Sequence, residues 1–87
     1  MAYKVRVKSE KKTLAKLPKN VKNTLFLLIQ ELESEGPIQS EWQNYSTLGK
    51  NEYHCHLSYS WVACWRTTEK SFVIEVYYAG SREKAPY

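Results

Sequence analysis

The chain opens on an alternation. In Tyr3-Lys4-Val5-Arg6-Val7-Lys8, apolar and basic residues take turns. On an extended chain, residues two apart share a face, so this period predicts a half-buried strand with Tyr3, Val5 and Val7 inward. The period then lengthens. Ser9 is suited to cap a short helix whose inner edge is Leu14 and Leu17. Pro18 disfavours helical geometry at Leu17 and suits the first turn of a second helix. In that helix Val21, Leu25, Leu28, Ile29 and Leu32 recur at i, i+4, i+7, i+8 and i+11, one apolar stripe at the helical period. Phe26 and Leu27 widen the stripe. Gly36-Pro37 ends it, as glycine past a helix terminus and proline beyond usually do. Glu31, Glu33 and Glu35 gather near that end, where negative charge opposes the helix dipole, so helix stability is not their purpose.

Residues 37–52 are polar, with Trp42, Tyr45 and Leu48 as anchors against a core. Three strand signals follow: Tyr53–Leu57, Trp61–Arg66 and Phe72–Tyr78, all rich in aromatic and β-branched residues. Ser58-Tyr59-Ser60 and Thr67-Thr68-Glu69-Lys70 are turn-like breaks, and connections this short imply antiparallel hairpins. The predicted order is β-α-α-β-β-β: an α+β fold, two N-terminal helices on an antiparallel sheet, in one domain spanning residues 1–87. The sequence shows no internal repeat, linker or low-complexity tract.

Composition narrows the class. A chain of 87 residues with 43% hydrophobic and 14% aromatic content suits one folded globule. The longest apolar run, Leu25 to Ile29, is far too short to cross a bilayer, and no apolar leader is visible at the N-terminus. Two cysteines, Cys55 and Cys64, make no disulfide scaffold. The expectation is a cytoplasmic protein with reduced thiols and no membrane partner.

The net charge of +4 is unevenly spread. Residues 1–22 carry eight Lys and Arg, Lys11 and Lys12 among them, against Glu10 alone. Residues 23–52 carry five acids against Lys50. A basic block of that density fits a polyanion or an acidic protein, and equally an ordinary solvated helix face.

His54-Cys55-His56 is the most informative triplet. On a strand the two imidazoles point one way, about 6.5–7 Å apart. Tyr53, Cys55 and Leu57 then face the core. Free imidazole titrates near ~6.5, so such a pair is able to act as base and acid. Ordinary surface histidines and two ligands of a metal site are the competing readings. No third ligand stands at a recognisable spacing, so neither metal nor other cofactor is expected. Cys55 and Cys64 face each other if the hairpin closes around Tyr59-Ser60, as packed free thiols rather than a disulfide or a nucleophile. Trp61, Ala63 and Trp65 share a face. With Val62 and Cys64 inward, the tryptophans join the histidines and offer stacking surfaces to unpaired bases; the alternative is that they are core. Near the C-terminus, Arg82 and Lys84 are suited to phosphate contact, and a frayed charged tail is the plainer meaning. The working surface is thus expected on the basic, aromatic face of the C-terminal sheet.

The order of elements, the helix between Leu17-Pro18 and Gly36, Leu48-Gly49 before the sheet, the hairpin Tyr53–Arg66 and the ending Tyr78-Ala79-Gly80-Ser81-Arg82-Glu83 with a late Tyr87 resemble the RelE/ParE toxin superfamily, on the RelE-like mRNA-interferase side. The resemblance spans nearly the whole chain. It rests on order and spacing together rather than on one motif. It implies a toxin of a type II toxin–antitoxin system that cleaves mRNA on the ribosome: a base activates the ribose 2′-OH, cations stabilise the phosphorane-like charge and an acid protonates the leaving 5′-oxygen. It further implies a cognate antitoxin as partner, with any oligomer formed only through it. The family's basic strand positions correspond to His54 and His56, its Arg after the strand-end glycine to Arg82 and its late Tyr to Tyr87. These four are the implied catalytic residues. Lys84, Trp61, Trp65, Arg66, Lys11 and Lys12 are the implied RNA contacts. A family Arg early in the second strand of the hairpin falls on Trp61, a departure that removes one cation, and Arg66 stands five residues too late to replace it. The other readings are a ParE-like gyrase inhibitor and a non-catalytic module that binds antitoxin or RNA.

Overall fold

The computed structural model describes residues 2–68 and 72–87. The opening alternation folds as β1 (Lys4–Val7), followed by α1 (Lys11–Ala15) and α2 (Lys19–Glu35). Then come β2 (Ser46–Gly49), β3 (Glu52–His56), β4 (Trp61–Thr67) and β5 (Val73–Ser81), and a single 3-10 turn, Arg82–Lys84. The five strands form one sheet in the order β1-β5-β4-β3-β2. The fold class is α+β as expected, with two differences. The sheet is mixed, because β1 lies parallel to β5, with Lys4 opposite Val73. It also has a strand, β2, inside the segment read as polar connection. Part of the break expected at Thr67–Lys70, namely Glu69 and Lys70, falls outside the described residues.

The helices pack as their stripe dictates. Val21, Leu25, Leu28 and Leu32 are buried, and Leu28 and Leu32 have no exposed surface at all. Truncating either to Ala removes about 2–5 kcal/mol, a large part of the margin of a domain this size. Phe26 and Leu27 do not widen the stripe: they are exposed, as is Val7 at the end of β1. Positions i+1 and i+2 after Leu25 turn roughly 100° and 200° away from it, and the sheet lies on one side only. Pro18 stands before the first turn of α2, and Gly36 ends the helix with φ 93° and its N–H bonded to the Leu32 carbonyl. A Cβ on Gly36 would stand 2.7 Å from the Tyr3 ring, so this position requires glycine for space as well as for φ. Ser9 does not cap α1. Its Oγ instead accepts the Ala79 N–H at 3.3 Å, tying the start of α1 to the free edge of β5 beyond the end of β1.

The core beneath the helices is lined by Cys55 and Leu57, by Ala63 and Trp65 of β4, and by Ile74, Val76 and Ala79 of β5. Trp42 and Tyr45 pack against it, as anchors from the 37–52 segment should. The indole N–H of Trp42 donates to the Glu31 carboxylate, and the Tyr3 N–H donates to the Glu33 carbonyl. These contacts give Glu31 and the end of α2 a tertiary purpose in place of a helical one. Among the described residues, no helix is long and apolar enough to cross a membrane.

Candidate functional site

The register of β3 on β4 decides which residues share the face away from the helices. His54 stands opposite Cys64, His56 opposite Val62 and Glu52 opposite Arg66, whereas Cys55 stands opposite Ala63 and Tyr53 opposite Trp65. Three expectations are thereby corrected. Trp65 is fully buried in the core, its indole N–H donating to the Pro37 carbonyl at 3.0 Å, and offers no stacking surface. Trp61 packs against the same core and does not flank the histidines. Cys55 and Cys64 point to opposite sides of the sheet rather than toward each other. Both are free and buried, and burial first of all pushes each thiol up to about 12, so neither ionises near neutrality.

His54 and His56 do share one face, with ring centroids 6.1 Å apart. The chain beyond the 3-10 turn returns across them, and the Tyr87 ring comes to 4.5 Å from that of His54. Arg82 lies close enough for its charge to act on His56, and its guanidinium covers the exposed Tyr59 ring at 4.9 Å. His54, His56, Arg82 and Tyr87, separated by up to thirty-three positions in the sequence, therefore converge.

Both imidazoles are almost wholly covered and titrate below their ordinary range. For His54 the cause is burial first, opposed by a hydrogen bond with the Ser46 backbone and reinforced by His56. For His56 it is burial and then Arg82. Two neutral imidazoles at neutral pH are proton acceptors in waiting. Tyr87 is displaced the other way: burial and then the neighbouring Cys64 raise its hydroxyl, so it keeps its proton.

Two residues outside the predicted set hold the histidines in place. Asn44 Nδ2 lies 3.2 Å from His56 Nδ1, and Ser46 Oγ lies 3.0 Å from His54 Nδ1. Asn44 adopts φ 54°, a conformation its short amide tolerates better than most side chains. The His56 backbone N–H also donates to the Gln43 carbonyl at 2.8 Å. With the Asn44 amide as donor, His56 Nδ1 is the acceptor and Nε2 carries the ring proton in the neutral form. The signal in the sequence was a second pair of polar residues two apart, Asn44 and Ser46, in register with His54 and His56. It is readable only once β2 is placed beside β3 with Ser46 opposite His54.

Arg66 is on this side of the sheet but occupied. Its Nε donates to Glu75 Oε1 at 3.3 Å, and its guanidinium lies 4.7 Å from the centre of the Tyr77 ring. Lys8 joins the same carboxylate at 3.4 Å. Partial burial alone would raise Glu75; the bonds from Arg66 and Lys8 outweigh it, and the net displacement is downward. Arg66 is thus engaged in an ion pair with Glu75 and remains partly exposed. Lys11, Lys12 and Lys84 are exposed, and Lys12 and Lys84 meet in a separate cleft against α1. Among the described residues, no group of three or more His, Cys, Asp or Glu side chains is placed to hold a metal ion.

Known proteins resemble this chain in structure rather than in sequence. No protein-family model matches it and no curated protein matches it. Solved structures do. A chain in the archaeal RelE–RelB complex from Pyrococcus horikoshii OT3 is 25% identical and superimposes with a TM-score of 0.69 over 98% of this chain and 100% of its own. A chain of the YoeB–YefM complex from Staphylococcus aureus reaches 0.66 at 7% identity, covering 91% of this chain and 98% of its own. A metal-bound toxin from Helicobacter pylori reaches 0.60 at 20% identity, over 91% and 96%. The chain has the RelE-like toxin fold.

Proposed function

We propose that this protein is the toxin of a type II toxin–antitoxin pair and cleaves mRNA on the ribosome without a metal. One observation carries the reading: two neutral, oriented imidazoles, a guanidinium and a protonated phenol converge on one face of a RelE-like sheet. A neutral imidazole, His54 or His56, takes the proton of the ribose 2′-OH. The oxygen attacks the adjacent phosphorus. Arg82 stabilises the negative charge that grows on the phosphoryl oxygens. Tyr87, which holds its proton, donates it to the departing 5′-oxygen, leaving a cyclic phosphate and a free 5′-OH. The antitoxin covers the basic surface of β1 and α1 and silences the toxin in the cytoplasm. Replacing His54 and His56 together by Ala and following mRNA cleavage on ribosomes tests this; undiminished cleavage overturns it.

The engagement of Arg66 with Glu75 and the position of Trp61 off the histidine face favour a second reading, a toxin relative that binds antitoxin or RNA without cutting. Expression without growth arrest, with RNA or antitoxin binding retained, would select it. Arrest of DNA replication before translation would instead select a gyrase inhibitor.

A further inference from the structure

Two surfaces border the turn that follows β5, and the histidine face is one of them. The other is a cleft of about 460 Å³ between α1 and the end of β5, lined by Glu10, Lys12, Thr13, Lys16, Trp61, Tyr78, Ser81 and Lys84. That volume falls within the ~300–1,000 Å³ typical of pockets that hold small ligands. Three ammonium groups stand against one carboxylate, so the cleft selects anions. Trp61 keeps one side on the core and is half exposed, and Tyr78 donates its hydroxyl to the Ser81 carbonyl at 2.7 Å, which fixes its ring as a wall.

The cleft is a built feature of the fold. The Ala79 N–H bond to Ser9 Oγ anchors α1 along the β5 edge. Gly80 keeps the two elements close, since a Cβ there would stand 2.6 Å from Thr13 Cγ2 and 2.8 Å from the Tyr78 hydroxyl. The turn that follows β5 serves both surfaces: Arg82 reaches Tyr59 and His56, while Lys84, two residues on, lines the cleft.

We propose that this cleft is a subsite for single-stranded RNA, in which Trp61 stacks a base and Lys12, Lys16 and Lys84 hold the flanking phosphates. The inference rests on the nuclease reading for its substrate class and adds to it a nucleotide held outside the histidine face. A strand crossing the Arg82–Lys84 turn touches both surfaces. Lysines are point charges suited to phosphate, and the aromatic walls suit a planar base. An acidic peptide uses the lysines and leaves the aromatic walls idle, so RNA is the better match.

The test uses the full chain and a short oligoribonucleotide methylated on every 2′-oxygen, which binds without being cut. Binding is followed by fluorescence anisotropy across a range of salt. Replacing Lys12, Lys16 and Lys84 together by Ala should flatten the slope of log K against log salt by about 0.7 for each phosphate that a lysine no longer neutralises. Trp61→Leu should weaken binding roughly 5- to 100-fold. Because Trp61 also packs on the core, Trp61→Phe serves as the companion variant, retaining both fold and most of the affinity. The Trp61 indole NMR signal should move on titration. Unchanged affinity and slope in the lysine variant overturn the proposal. So does an oligoglutamate that shifts the Trp61 signal while the oligonucleotide does not, since the cleft then belongs to an acidic protein. Loss of the lysine dependence leaves the histidine cleavage test untouched, and undiminished cleavage in the histidine variant leaves the binding result untouched.

Discussion

The Tyr87 ring lies against His54, with centroids 4.5 Å apart, and so helps to keep that imidazole out of water. Removing the ring re-exposes it. Tyr87→Ala should raise the His54 pKa toward the ordinary ~6.5 of imidazole, measured by NMR titration of its ring protons. Tyr87→Phe keeps the ring packing and removes only the hydroxyl. If the phenol donates the proton to the leaving oxygen, Tyr87→Phe lowers single-turnover cleavage by about 10²–10⁴-fold with His54 titrating as before. Full activity in Tyr87→Phe assigns the acid role elsewhere.

The depressed histidines set the pH behaviour. A base must be unprotonated to work, so the acid limb of the cleavage profile should lie below the ~6.5 of free imidazole. Stability follows the same groups. Between the folded-state values and ~6.5 the unfolded chain binds more protons, so stability falls as pH drops through that window and levels off once both imidazoles are charged. Replacing both histidines by Gln should flatten this dependence in urea melts at pH 5 to 7; an unchanged slope would assign it to other groups.

The Asn44 amide keeps the His56 ring proton on Nε2. Asn44→Asp turns the donor into a carboxylate acceptor. That change should move the ring proton to Nδ1 and raise the His56 pKa, both visible in the imidazole nitrogen shifts. Asp tolerates the positive φ of this position nearly as well as Asn, so the hairpin should survive. An unaltered tautomer would show that the 3.2 Å contact does not govern the ring.

Two substitutions test the scaffold. Gly36→Ala places a Cβ 2.7 Å from Tyr3 at φ 93° and should cost about 1–3 kcal/mol in denaturant melts. Trp65→Ala empties the centre of the core and should cost about 3–5 kcal/mol, enough to unfold much of a domain this small. RNA affinity should fall in Trp65→Ala only in proportion to the unfolded fraction. A drop in affinity in fully folded protein would reopen a direct role for this residue.

Elements with a period are legible in the sequence, and elements without one are not. The stripe from Val21 to Leu32 defines α2, and Leu17-Pro18 and Gly36 mark its ends because backbone sterics act locally. β2 is hidden: Ser46-Thr47-Leu48-Gly49 has one apolar side chain and forms a sheet edge with little to bury. The orientation of β4 is ambiguous because both its faces are apolar, so Val62 and Cys64 look as fit for the core as Ala63 and Trp65. Only the pairing with β3 decides between them. The convergence of His54, His56, Arg82 and Tyr87 is anticipated through the family resemblance. The capture of Arg66 by Glu75 is not, since it depends on the β4–β5 register and on Lys8 arriving from the end of β1.

That parallel strand β1 has a consequence for synthesis. Lys4 finds its place beside Val73, far along the chain. While the protein is being translated, its first strand emerges long before the sheet edge it must join. Loop closure over such a span is slow and comes late. The histidine face is assembled from β3 and from segments beyond β5, so it too waits for residues synthesised well after its histidines. The four side chains of the site therefore come together only once the chain has been made well past β5.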